Sequence, residues 1–159
     1  MALGASEVSV TRRASFCAAH YYWRDDWDEH QNRTIFGKCS NRQGHGHNYT
    51  LALTVTGPLD PKTGMVINLR QLKQMLKTHV IEVLDHRHLN HEVFQLDPEF
   101  THKNPTLEHL AQFIWQRLEK VLQADPQPWR PSHLVVTENE DLFVEMFDVD
   151  IFEQPVLVT

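Results

Sequence analysis

Two runs of alternating side chains, set far apart in the chain, constrain its fold more than any other feature. Over residues 45–56, HGHNYTLALTVT, the residues Tyr49, Leu51, Leu53 and Val55 share the odd parity, and Gly57-Pro58 stops the run. Over residues 7–20, EVSVTRRASFCAAH, the even parity carries Val8, Val10, Ala14, Phe16 and Ala18. Successive residues of a strand point to opposite faces, so each run predicts a strand with one buried side. His20 ends the first run on its apolar parity, and His45 and His47 begin the second on its own. An antiparallel pairing would set the end of the first strand beside the start of the second and bring the three imidazoles to one face. Residues 21–44 lie between the runs. Connections beyond about 12–15 residues in compact domains are usually functional or disordered, and two tryptophans, Phe36 and Cys39 argue against disorder here.

Helical periodicity follows. Residues 69–84 put Leu69, Leu72, Leu76, Val80, Val83 and Leu84 on one stripe, with Asn68 as the N-cap and Gln71 three residues on. A second helix reads Asn104 as cap and Pro105 at the first position, then Leu107, Leu110, Ala111, Ile114, Leu118, Val121 and Leu122, closed by Pro126 and Pro128. Residues 85–103 read as irregular and rich in histidine. Two further strands are predicted at 133–137 and 142–149. Strand, strand, helix, helix, strand, strand (ββααββ) predicts an α+β domain: a four-stranded antiparallel sheet with two helices on one face. The uncovered edges of such a sheet invite pairing with another copy, so a homo-oligomer is expected.

Composition narrows the function. A chain of 159 residues suggests one domain, here read as 1–159 with its core over about 7–150 and a short tail at 151–159. A net charge of −6 argues against nucleic-acid binding. Two cysteines are too few for a disulfide scaffold and suit a reducing compartment. No secretory leader shows at the N-terminus and no apolar run approaches the length of a membrane span, so a cytoplasmic protein without a membrane partner is expected. The eleven histidines point to metal or proton chemistry.

Three imidazoles from adjacent strands suit a tetrahedral Zn²⁺ with its fourth position open, which makes His20, His45 and His47 candidate ligands. Cys39 stands six residues before His45. Lys38 and a neighbouring metal would favour its thiolate, leaving two roles open: a fourth ligand that closes the site, or a base beside it. Cys17, on the opposite parity from His20, reads as a packed small residue. Asp85-His86 could supply the orienting acid and imidazole of a proton relay, or His86 could simply complement a helix dipole. His88 and His91 are too weakly placed for a second metal site, and His30, His79, His102, His109 and His133 read as surface or core residues. Glu108 falls in a first helical turn. Glu138, at the end of Val135-Val136-Thr137, could accept paired N–H groups from a heterocycle or be a turn residue.

Together these motifs resemble the 6-pyruvoyl-tetrahydropterin synthase family, through Phe16-Cys-Ala-Ala-His20, Phe36-Gly-Lys-Cys-Ser-Asn41, Gly44-His-Gly-His-Asn-Tyr49, Gly64-Met-Val-Ile-Asn-Leu69, Leu84-Asp-His-Arg-His-Leu89 and Pro105-Thr-Leu-Glu108. The resemblance runs from Arg13 to Val149. It implies the tunnelling fold, in which trimers close a β-barrel and two trimers stack into a hexamer. It implies zinc on His20, His45 and His47, and a proton-transfer set of Cys39, Asp85 and His86 gathered at a subunit interface. Glu138 would anchor the pterin, assisted by Thr106 and Glu108. Asn139 after Glu138, where threonine is usual, and Leu107, where some members have a second threonine, are departures that bear on the pterin contacts.

The implied reaction takes 7,8-dihydroneopterin triphosphate to 6-pyruvoyl-tetrahydropterin and releases triphosphate. Hydrogen shifts inside the substrate do the redox work, in keeping with a chain that has no Gly-rich dinucleotide fingerprint. Lys38 and Arg42 are candidate cations for the triphosphate. Two alternatives are a 6-carboxy-tetrahydropterin synthase of the queuosine route, whose cysteine commonly stands four residues before the HGH pair rather than six, and a non-catalytic zinc-stabilised pterin-binding module.

Overall fold

The computed structural model describes residues 6–148. The two alternating runs form strands β1 (Val8–His20) and β2 (His45–Gly57), paired antiparallel in an unbroken register that sets His20 opposite His45, Ala18 opposite His47 and Phe16 opposite Tyr49. The long connection between them is ordered. It carries helix α1 (Glu29–Phe36), capped by the Asp28 carboxylate, which accepts from the Gln31 N–H at 2.7 Å, and then a 3₁₀ turn, Gly37–Ser40, that presents Cys39. Buried Asn32 ties this segment down, accepting from the Arg24 N–H and donating to the carbonyls of Arg24, Trp27 and Asp28. A buried carboxamide with those bonds made is stable; without them it would cost about 1–3 kcal/mol.

The predicted first helix starts where expected. Asn68 caps α2 (Leu69–Leu76) by accepting from the Arg70 N–H. A π-helical turn, Lys77–Ile81, then interrupts it before a last turn, Glu82–Leu84. Leu72, Leu76, Val80 and Leu84 are buried, whereas Leu69, expected on the same stripe, is 53% exposed at the first position of the helix. The carbonyl of His79, within the π turn, accepts from the Arg117 guanidinium at 2.9 Å. The next helix, α3 (Leu107–Ala124), is capped by Thr106 and not by the predicted Asn104. The Asn104 carboxamide instead accepts from the Trp23 N–H at 2.8 Å, drawn off by the long connection.

Strands β4 (Arg130–Asn139) and β5 (Leu142–Phe147) complete the antiparallel part, with β4 on β2 and β5 on β4. The predicted end of the last strand at Val149, and the tail at 151–159, lie outside the described residues. Among the described residues the sheet has five strands rather than four, because the two-residue β3 (Arg87–His88) joins it to give the order β3-β1-β2-β4-β5. The extra member pairs parallel with β1 at its edge. Two residues are too few to show a period, so no local pattern announced it. Around it the predicted irregular stretch contains a π-helical turn, Leu89–Val93, and a 3₁₀ turn, Phe94–Leu96.

The architecture is α+β. Even positions of β1 and β4 and odd positions of β2 meet α2 and α3 in one core, where Leu51, Leu53, Leu72, Leu110, Ile114, Leu134 and Val136 are almost fully buried. The opposite face of the sheet carries hydroxyl ladders, Ser9–Thr56 and Thr11–Thr54, each at 2.7 Å. Among the described residues no helix is long and apolar enough to cross a membrane.

Candidate metal centre and proton-transfer groups

The register of β1 on β2 builds the centre. His20 is buried at the end of β1, and its Nδ1 lies 3.0 Å from the carbonyl oxygen of Pro105, just before α3. A carbonyl can only accept, so Nδ1 carries the proton and Nε2 is left bare. That Nε2 faces His45 Nε2 at 3.2 Å. Nitrogens bound at about 2.0–2.1 Å to one tetrahedral ion lie roughly 3.3 Å apart, so the pair already has the spacing of two ligands. The ring of His47 lies 5.0 Å from that of His20 and 4.9 Å from that of His45, and one donor atom from each of the three falls within 4.8 Å of the others. Gly44 makes the turn into β2 at φ 80°, where a side chain would collide with His88 Nε2 and the His20 carbonyl.

His47 Nε2 is buried with no hydrogen-bond partner, which is costly unless something else satisfies it. Glu138 Oε1, 3.5 Å away, does not have hydrogen-bond geometry. Burial also holds all three imidazoles below their ordinary value, with His20 down to about 4. Neutral imidazoles with an orphaned nitrogen pointing inward fit a divalent ion.

Cys39 Sγ stands 3.9 Å from His45 Nε2, at the rim of this trio. Burial and then the charge of Glu138 push its thiol up, the reverse of the effect expected from Lys38, whose side chain is exposed. Glu138 follows Leu134 and Val136 on the core parity of β4, and the bulge after Thr137 lets it reach past the last core residues towards His47. Burial raises its carboxyl, while His45 lowers it and Glu108 raises it further, and its Oε2 has no hydrogen-bond partner. Glu108 therefore contributes by charge from the first turn of α3. The Thr106 hydroxyl oxygen is taken up as the helix cap, accepting from the His109 N–H at 3.3 Å.

Tyr22 and Tyr49 belong to the same neighbourhood and were not singled out from the sequence. The Tyr22 ring stands edge-on to His20 at 4.9 Å, and burial, Glu138, Cys39 and Glu108 all push its phenol up. The Tyr49 hydroxyl lies 3.3 Å from His20 Nδ1. Both extend the parity that marked the histidines, which was the available signal. Arg42 sits differently: its guanidinium lies over the Trp23 ring at 5.1 Å and pairs with Asp25 at 3.6 Å.

Asp85 and His86 lie at the outer edge of β1. Asp85 Oδ1 accepts from the Cys17 N–H at 2.8 Å, the His86 N–H donates to the Cys17 carbonyl at 2.7 Å, and Asp85 Oδ2 holds His86 Nδ1 at 2.9 Å. The Cys17 N–H, ahead of His86, lowers the Asp85 carboxyl. The neighbouring thiol is thus Cys17, read from the sequence as a packed residue but half-buried here at the side of a cavity of about 500 Å³ that His47, His86 and His88 also line. Among the described residues no hydrogen bond or ion pair joins Cys39 to Asp85 or His86. The rings of His88 and His91 lie against each other at a 35° tilt, with ring centres 4.5 Å apart.

Residues 9–148 match the family model described as 6-pyruvoyl tetrahydropterin synthase. A 6-pyruvoyl tetrahydrobiopterin synthase of Pongo abelii is 42% identical over 116 residues, 73% of this chain and 77% of that protein. The one of Homo sapiens is 41% identical over the same shares. The solved structure of Caenorhabditis elegans 6-pyruvoyl tetrahydropterin synthase matches with a TM-score of 0.78 at 29% identity, covering 90% of this chain and 96% of the other.

Proposed function

The chain belongs to the 6-pyruvoyl tetrahydropterin synthase family, and we propose that it converts 7,8-dihydroneopterin triphosphate to 6-pyruvoyl-tetrahydropterin with release of triphosphate, using zinc on His20, His45 and His47. The observation that carries this reading is the buried, unpartnered His47 Nε2 beside two converging imidazoles, with a thiol and a buried carboxyl at the rim. A zinc ion bound there supplies Lewis acidity towards the substrate's side-chain oxygens, which acidifies the neighbouring C–H.

The chain's own groups do the rest. Pro105 holds His20 in one tautomer and Tyr49 flanks the same ring. Cys39, whose Sγ stands 3.9 Å from His45 Nε2 at the rim of the trio, takes the side-chain proton as its thiolate. His86, held by Asp85 and with its ring largely exposed, hands a proton back, acting in the proposed assembly towards another copy of the chain. Triphosphate departs with the electrons of its C–O bond and one proton is lost with it; the other protons moved are returned within the substrate, so no external oxidant is consumed. Glu138, with Oε2 unpartnered, accepts from the N–H groups of the pterin ring; Glu108 adds its charge to that carboxyl, and Thr106 is proposed to assist from the start of α3. Lys38 and Arg42 are proposed to meet the triphosphate. Arg42 would first leave Asp25.

An assembly follows from the same reasoning. Among the described residues β5 is the last strand on one side of the sheet, with Phe143 56% exposed, and β3 is a two-residue edge on the other side. Edge pairing into a barrel trimer, two of which stack as a hexamer, would bring Asp85-His86 of one copy to Cys39 of the next. The decisive experiment incubates the purified protein with dihydroneopterin triphosphate and follows product mass and bound metal. A product retaining the three-carbon side chain supports the proposal. Release of acetaldehyde would reassign the chain to the 6-carboxy reaction, and bound pterin without turnover would make it a binding module.

A further inference from the structure

We propose that Cys17, Asp85 and His86 form a second site for a thiophilic divalent cation, separate from the histidine trio, and that filling it withdraws His86 from proton transfer. One donor atom from each residue lies within 4.8 Å of the other two. A sulfur, a carboxylate oxygen and an imidazole nitrogen are the donors that zinc and its softer relatives prefer. The arrangement is built into the backbone, since Asp85, 68 residues along the chain, and His86 after it are both bonded to the main chain of Cys17. His86 is held at φ 58°, the left-handed region that non-glycine residues rarely enter. Such strain persists only where surrounding bonds impose it, and it gathers at functional positions.

The site also has access and room. It borders the cavity between Cys17, Gly46 and His88, and the His86 ring is largely exposed, so a small swing brings its nitrogen onto an ion. Glu92, on the same cavity, is engaged by Arg87 and by the His88 N–H, which leaves the fourth coordination position to water. Binding would release the Cys17 thiol proton to solvent. The imidazole proton between Nδ1 and Asp85 would move to Nε2, so the ring stays neutral while its nitrogen and its orienting carboxylate are both taken. The inhibitory half of this inference rests on the proposed function; the binding half does not.

Cobalt(II) titration of the full-length, metal-stripped protein tests it. The chain has two cysteines, so a thiolate-to-cobalt band in the near ultraviolet can be assigned by substitution. We expect two ions per chain, with the band developing alongside the second, kept in Cys39→Ala and lost in Cys17→Ser, which binds one. In Cys39→Ala, where Cys17 is the remaining thiol, alkylation by iodoacetamide should slow about tenfold or more when the second ion is bound, a readout independent of how Cys17→Ser folds. A stoichiometry of one, or a band lost in Cys39→Ala and kept in Cys17→Ser, would overturn the site. Excess zinc should inhibit turnover, with inhibition weakened roughly 10–100-fold in Cys17→Ser. A second ion bound without inhibition would overturn the claim on His86. Absence of turnover in the protein loaded with one ion would count against the proposed reaction while the spectra still decide the site.

Discussion

Acidification of the metal-free protein should expose how His20 is held. The imidazole is 1% exposed, and burial, ahead of every other influence, brings it from an ordinary value near 6.5 down to about 4. Between those two values the unfolded chain binds a proton that the folded chain refuses, so stability rises with pH across this window and is lost as pH falls through it. At about 1.4 kcal/mol per pH unit, the loss from His20 alone reaches roughly 3 kcal/mol between pH 7 and about pH 4, with about 2 kcal/mol gone by about pH 5. For a domain with a total stability of about 5–15 kcal/mol that is a large share. Urea denaturation of the stripped protein over this range measures it. His20→Gln removes the titrating group, and although it lowers stability at neutral pH, it should flatten the acid limb by the same amount. Equal acid losses in the two proteins would refute the reasoning, because burial of a neutral imidazole could then not be the source. Zinc should steepen the wild-type curve, since an ion on Nε2 competes with the same proton.

Cys39→Ala should lower turnover by about 10²–10⁴-fold, the usual contribution of a positioned base, with bound metal unchanged; metal loss measured alongside would make Cys39 a ligand instead. Glu138→Gln leaves a group of the same shape without the charge, so pterin binding should weaken by about 1.5–3 kcal/mol, read as a higher KM or a weaker fluorescence titration with a pterin analogue. An unchanged affinity would remove Glu138 from the binding site. Leu53→Ala, at a side chain with no exposure in the middle of β2, should cost about 2–5 kcal/mol in urea denaturation, and a loss under about 1 kcal/mol would mean that the sheet and helices relax around the gap.

The centre was unusually legible from the residues alone. Strand alternation is a property of neighbours, so the parities of His20, His45 and His47 could be read without knowing the fold, and a single antiparallel pairing then brought them together. Tyr22 and Tyr49 lay on the same parities but carry no metal chemistry, so nothing in their side chains singled them out. Helix α3 showed its stripe just as clearly, yet its cap fell on Thr106 because Asn104 found a better partner in the Trp23 N–H.

What depended on tertiary structure is whatever rests on residues distant in sequence. Strand β3 is two residues long and exists through its bonds to β1, so no period could reveal it. The company of Cys17 changed for the same reason: on its own parity it is a small residue in a strand, and only the 68-residue return of the chain sets Asp85 and His86 against its backbone. Burial did the rest. Local sequence carries the direction in which a side chain points, but the loss of water that drives His20 down and Cys39 up comes from helices and loops packed over them, a quantity no local pattern contains.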